Sequence, residues 1–247
     1  MPYIMSVVKA GKTVEINKYY TLRYKAKGCK RGAWTNPTSE KQEEINRRHA
    51  ETKLRLRLNA NFKEGDFHLV LDYRLNERPN SKEEMRKDTD DFLKKLRKEY
   101  KKQGKELKYI HVMEVGSKGA KHHHLVINNI DPKIIQKCWT KGRIKVFPLD
   151  ESGQYRDLAN YLIKQTSKSK ELQGKRWNSS RNLIIPEPEK TVISEAEWFR
   201  SVPTIPKKYK DYYIDKNSVF KGINNVTGLG FFKYTLIRKN GVNNDDG

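Results

Sequence analysis

Apolar residues recur along this chain in two rhythms. Asp66–Tyr73 (DFHLVLDY), Leu107–Glu114 (LKYIHVME), His122–Asn128 (HHHLVIN) and Gly142–Phe147 are short runs rich in β-branched and aromatic residues, which predicts strands. Between them the spacing widens. Met85, Phe92, Leu93 and Leu96 lie near a 3.6-residue period and predict a helix over 82–103, stopped by Gly104. Asp131 as N-cap with Pro132 at the first helical position predicts a short helix to about Trp139. A further helix is expected over 155–167. The order over 66–167 is β-α-β-β-α-β-α. The Gly-containing turn at 115–121 makes the middle two strands a hairpin, so the expectation is an α+β fold: a central, largely antiparallel sheet with helices on one face.

The flanks are less regular. Ser39 and Gln42 have capping-box spacing at the start of a charged helix over 40–58. Before it, Val14–Tyr24 alternates like paired strands. After residue 185, Pro186 and Pro188 mark a break, followed by a short helix over 194–200, a strand over 231–237 and a frayed tail beyond Lys239. The expected division is a basic N-terminal extension (1–65) packed on the core, a central domain (66–185) and a C-terminal extension (186–247). No internal repeat is seen.

Charge narrows the partner. Of 247 residues, 52 are Lys or Arg and 30 are Asp or Glu, a formal net charge of +22. A polyanion is the expected partner, with a merely solvated basic surface as the alternative. No apolar run approaches the roughly 18 residues of a membrane span, and Met1–Lys12 carries no continuous apolar segment, so neither a membrane anchor nor a secretion signal is expected. Two cysteines, Cys29 and Cys138, are too few for a disulfide framework or a Cys-based zinc site, so a reducing intracellular compartment such as the cytoplasm is expected. Nucleic acid therefore leads. Arg47 and Arg48, with Lys53, Arg55 and Arg57, make the 40–58 helix a candidate DNA-backbone contact. The stretch Tyr19–Tyr24 interleaves aromatic and basic groups that either stack on bases or cover a sheet.

The hairpin carries candidate chemistry. Side chains alternate along a strand, so His122 and His124 share one face and His123 takes the other. The turn brings Glu114 opposite His122. Two imidazoles and one carboxylate at facing positions suit a divalent cation with open coordination sites, with Mg²⁺, Mn²⁺ and Zn²⁺ all admissible. Ordinary hydrogen-bonded histidines are the alternative. The next informative segment is Tyr161–Lys168 (YLIKQTSK). Helical spacing puts Tyr161, Lys164, Gln165 and Lys168 on one face, with Leu158 and Leu162 buried. A tyrosine with an ammonium one turn away is a candidate activated nucleophile, although such pairs are common in helices.

Together these residues resemble the HUH endonuclease superfamily, whose motif is His-hydrophobe-His in a strand followed by a catalytic tyrosine on a later helix. Here the strand reads His122-His123-His124-Leu125-Val126-Ile127, with His in the slot usually held by a bulky apolar residue. Phe67–Tyr73, Tyr109–Glu114, Tyr161–Lys164 and the basic Lys175-Arg176-Trp177 with Ser180-Arg181 look like stretches of the rolling-circle replication initiators of small phages and plasmids. The resemblance covers about residues 66–185. It implies a ferredoxin-like or RRM-like core and a metal site of Glu114, His122 and His124 taking Mg²⁺ or Mn²⁺. It also implies a nucleophile, Tyr161, assisted by Lys164, and DNA contacts at Lys168, Lys175, Arg176 and Arg181. The implied activity is site-specific nicking and joining of single-stranded or unpaired origin DNA through a 5′-phosphotyrosyl intermediate. That reaction frees a 3′-OH for a host polymerase, with a host helicase and oligomerisation at the origin as further expected partners. Gln165 stands where some phage members carry a second tyrosine, so a single-tyrosine enzyme is implied. A single-strand transposase or relaxase of the same superfamily and a non-catalytic basic nucleic-acid-binding protein are the rival readings.

Overall fold

The computed structural model describes residues 3–21, 40–116, 119–168, 176–199, 202–223 and 228–239. In chain order the elements are β1 (Tyr3–Ala10), β2 (Thr13–Tyr20), α1 (Glu40–Asn61), β3 (Phe67–Asp72), α2 (Lys82–Lys102), β4 (Tyr109–Val115), β5 (Lys121–Ile127), α3 (Pro132–Cys138), β6 (Ile144–Pro148), α4 (Arg156–Lys168), β7 (Asn178–Ser179), β8 (Glu189–Ile193), α5 (Glu195–Phe199), β9 (Tyr212–Ile223) and β10 (Gly230–Arg238). Ser39, Cys29, Lys175 and the tail beyond Lys239, each given a reading above, lie outside the described residues, as does Tyr24. No described helix is long and apolar enough to cross a membrane.

The chain forms two units, one of residues 39–184 and one of residues 1–38 with 185–247. The sequence-based boundaries at 65 and 185 therefore fall differently at the N-terminal side. Helix α1 belongs to the middle unit because Leu54 and Leu58 pack with Ala159, Leu162 and Ile163 of α4. The two terminal segments join as one unit because their strands pair with each other, β1 with β8 and β2 with β10.

In the middle unit the sheet order is β6-β3-β5-β4-β7, every neighbouring pair antiparallel. The α+β class is as expected, but helices cover both faces of this sheet rather than one. Leu69, Leu71, Leu125 and Ile127 pack against Phe92, Leu93, Leu96 and Tyr100 of α2 and Ile135 of α3. On the reverse face Ile110, Val112 and Val126 pack against α1 and α4. The physical reason lies in β4 and β5, where apolar side chains point both ways, a pattern of strands buried on both sides.

Local chemistry fixes the helix ends. Ser81 accepts from Glu84 N (3.1 Å) while the Glu84 carboxylate accepts from Asn80 N (2.6 Å), closing the first turn of α2. Asp131 caps α3 by accepting from Lys133 N (2.8 Å). The start of α4 is tied to α1: Tyr155 N donates to Asn59 Oδ1 (3.0 Å), and Tyr155 itself is buried among the α1 and α4 side chains. That anchor sets the height of Tyr161 along the sheet.

The other unit is a five-stranded antiparallel sheet, β8-β1-β2-β10-β9. Val7, Val14, Ile16, Tyr212, Phe232, Tyr234 and Leu236 form its core. Lys18, almost fully buried, is satisfied by an ion pair with Glu197 of α5, and Trp198 of α5 stacks on Tyr3 of β1.

Candidate active site

Register brings the candidate residues together. Glu114 of β4 and Asp72 of β3 both lie directly opposite His122, one on each side of β5. Val112 and Val70 likewise flank His124, and His68 lies two residues before Val70 on the same face of β3. The result is a polar cluster on the face covered by α4. The Nδ1–H of His122 donates to Asp72 Oδ1 (2.7 Å) and the Nε2–H of His124 donates to Glu114 Oε2 (2.6 Å). With Nε2 of His124 so committed, its Nδ1 accepts from His68 Nε2 (3.3 Å). Burial, and then the neighbouring His124, push the His68 pKa down to about 4, so His68 is a neutral donor at neutral pH.

Tyr161 stands over this cluster. Its ring meets His124 edge-on at 5.4 Å and His68 at 6.2 Å, and it is 39% exposed. Burial, then the Glu114 carboxylate, push its hydroxyl pKa up, while a hydrogen bond from Gln165 opposes them. Lys164, one turn on, is exposed. The expected depression of the Tyr161 pKa by a neighbouring ammonium is therefore not what the site produces, because partial burial and then the Glu114 carboxylate dominate. Beside Tyr161 opens a cavity of about 470 Å³ bounded by His68, Phe147, Lys145 and Asp157. Phe147 is half exposed at its rim, and Lys145 pairs with Asp72 (3.4 Å).

Asp72, His68 and Phe147 were not among the candidates read from the sequence. The signal for Asp72 and His68 was present in the parity of Phe67–Tyr73 but needed the β3–β5 pairing to become visible, and Phe147 arrives through the pairing of β6 with β3, opposite His68. The proposed DNA contacts are spread out. Arg47 and Arg48 on α1 are engaged along the helix by Glu51 and Glu44. Arg176 and Arg181 follow α4 around β7. The Lys168 backbone ends α4, while Lys175 lies outside the described residues.

Behind the site, on the α2 face, His123 is fully buried. A chain of hydrogen bonds satisfies it. His111 Nε2 donates to His123 Nδ1 (3.0 Å), His123 Nε2 donates to the Tyr73 hydroxyl oxygen (2.7 Å), and Tyr73 in turn bonds Asp88, which pairs with Lys141 at 3.0 Å. Burial, then the nearby His124, hold His111 down to about 3, and burial holds His123 well below the ordinary value of 6.5. These imidazoles fold neutral, whereas the unfolded chain takes up protons below about pH 6.5. The stability that rests on these neutral rings is therefore intact above that pH and is lost progressively as pH falls from about 6.5 toward about 3, the value to which His111 is held. Urea midpoints should drop clearly between about pH 7 and pH 5; equal midpoints would mean that these rings titrate normally.

Among the described residues, no three His, Cys, Asp or Glu side chains already converge as a metal-holding group. The donors stand instead as two imidazole–carboxylate pairs side by side. The imidazoles of His122 and His124 and the carboxylates of Asp72 and Glu114 are nevertheless a donor set that fits a divalent cation once those pairs open.

The matched family spans the same elements. Residues 66–170 match the family model for replication-associated protein ORF2/G2P. This is a family of rolling-circle replication initiators, and the match points to a role in starting DNA replication and to DNA as a partner. The matched segment runs from β3 through α4 and contains Asp72, Glu114, His122, His124 and Tyr161. The β1, β2, β8, β9 and β10 strands fall outside it. No curated protein and no solved structure matches the chain.

Proposed function

We propose that this protein is an HUH-type single-strand DNA endonuclease and ligase that starts rolling-circle replication, with Tyr161 as its nucleophile. The observation that carries the reading is the seat of Tyr161: its ring lies 5.4 Å from His124, above a sheet face that gathers His68, His122, His124, Asp72 and Glu114.

In the proposed reaction the Tyr161 hydroxyl oxygen attacks the scissile phosphorus and the P–O3′ bond breaks. The phenol proton is lost, the leaving 3′ oxygen gains one, and the downstream strand stays on Tyr161 through its 5′-phosphate. Attack by a 3′-OH reverses the step and rejoins the strand, so one tyrosine serves both cutting and ligation. Gln165 donates to the phenolic oxygen and stabilises it as charge develops. Lys164, on the exposed side of α4, supplies positive charge to the phosphate in the transition state. Glu114, His122 and His124 would hold Mg²⁺ or Mn²⁺, with Asp72 and His68 fixing the rotamers of the two histidines. Such a cation polarises the scissile phosphate and neutralises its charge. Only an unpaired strand lets one phosphate reach below Tyr161, so the substrate is single-stranded or melted origin DNA. Lys168, Lys175, Arg176, Arg181, Arg47 and Arg48 are assigned to its backbone.

The test is a labelled single strand from the origin of the encoding replicon, incubated with the protein and Mn²⁺ or Mg²⁺ and run on a denaturing SDS gel. A shifted protein–DNA band that chelator abolishes is expected. Tight, salt-sensitive binding with no such band on any strand of the replicon would favour a non-catalytic binding protein.

A further inference from the structure

The terminal unit carries an aromatic surface that its own core does not use. Tyr19 of β2 is the register partner of Phe231 on β10, and Phe231 stacks against Phe220 of β9 at 5.7 Å and 27°. Gly222 lies opposite Phe231. A Cβ at Gly222 would come within 2.8 Å of Phe220 and 3.1 Å of Phe231, so the two rings close over bare backbone that only glycine provides. Lys233, opposite Phe220, holds its ammonium 5.4 Å from that ring. Phe220 is 51% exposed. The hydrophobic core of the same sheet is built from Val14, Ile16, Phe232, Tyr234 and Leu236, which alternate with these positions and point to the opposite face.

We propose that the strip Tyr19–Phe231–Phe220 is a stacking platform for single-stranded DNA, separate from the Tyr161 site. Three rings on three adjacent strands, about 4.8 Å apart from strand to strand, suit two or three consecutive bases. Charge argues for a nucleic acid over a protein partner. Residues 1–38 and 185–247 carry 18 Lys and Arg against nine Asp and Glu, and Lys233 sits beside the rings, where a phosphate backbone would run. Phe220 is exposed, with Tyr19 and Phe231 half-buried beside it; stacking on such a strip needs unstacked bases, which a duplex does not present, so the ligand is a single strand. The platform would hold the displaced or flanking strand whatever its sequence, because every base has a π-face.

The test uses the full chain in chelator, with a mixed-sequence single strand that lacks the origin, so that binding is read without cleavage. Phe220→Ala and Phe231→Leu should each weaken single-strand binding roughly tenfold, leave duplex binding within about twofold, and keep the wild-type melting curve; Phe220→Trp should restore affinity. Unchanged single-strand affinity in folded variants would overturn the proposal. So would an equal loss on duplex, or a loss of self-association in place of DNA binding. If the alanine variant does not fold, photo-crosslinking of the wild-type chain to a 5-iodouracil-substituted strand decides: adducts on peptides bearing Tyr19, Phe220 or Phe231 are expected, and adducts confined to 66–170 would contradict it. Because no step involves Tyr161, this result stands or falls apart from the nicking reaction.

Discussion

Tyr161→Phe should abolish the covalent protein–DNA adduct, lowering the cleavage rate by roughly a thousandfold or more, as expected when the nucleophilic atom itself is removed. The substitution deletes one oxygen. The ring keeps its edge contacts with His124 and His68, and Leu162 and Ile163 still pack α4 onto α1 and the sheet. Melting temperature and single-strand affinity should therefore stay close to wild type, which separates loss of chemistry from loss of fold. An adduct of undiminished yield would move the nucleophile elsewhere. Tyr155, the nearest tyrosine in sequence, is a poor replacement: it is 3% exposed, and its hydroxyl is directed to Asp150 O at 3.3 Å.

Gly142→Ala should damage stability and the site together. A Cβ at this position would fall 1.9 Å from the carbonyl oxygen of Asp72 and 2.9 Å from Tyr73 Cα, so backbone must give way. It has little room to do so. The chain on either side is pinned to the end of β3 by Asp72 N donating to Arg143 O and Arg74 N donating to Lys141 O, both at 2.9 Å, and Trp139 Nε1 donates to the same Asp72 oxygen at 3.1 Å. Overpacking of this kind costs about 1–3 kcal/mol, and backbone crowding belongs at the upper end, which lowers the melting temperature by about 5–10 °C. Asp72 would shift and His122 would lose its acceptor, so cleavage should fall beyond what unfolding explains. Wild-type melting and cleavage in this variant would mean that the strand end is softer than its hydrogen bonds imply.

Much of this site was legible because strand parity is local. His122 and His124 share a face by alternation, and the short turn seats Glu114 opposite His122. The spacing of α4 likewise fixes Tyr161 relative to Leu162. Asp72 and His68 are different. They enter the site only through pairing of β3 with β5 across about fifty residues of chain, which no local period reports. The helices on both faces had a local sign that alternation-based reading passed over: β4 and β5 are apolar at successive positions, Val112-Met113 and Leu125-Val126-Ile127. The terminal unit was least legible, because β1 finds β8 and β2 finds β10 only after the whole middle unit has intervened. The rise in the Tyr161 pKa was not legible either, since a lysine one helical turn away is visible in sequence while the burial of the ring and, after it, the Glu114 carboxylate come from the sheet below.

The most direct measurement of the central claim is to locate the DNA on the protein. The adduct would be formed on an origin strand labelled separately upstream and downstream of the nick, trimmed with nuclease, cut with trypsin and sequenced by mass spectrometry. The account predicts a phosphonucleotide on Tyr161, within the peptide of residues 157–164, joined through the 5′-phosphate of the downstream fragment, with a free 3′-OH on the upstream one. A phosphonucleotide on any other residue, a 3′-linked adduct, or cleavage that leaves only free ends would contradict it.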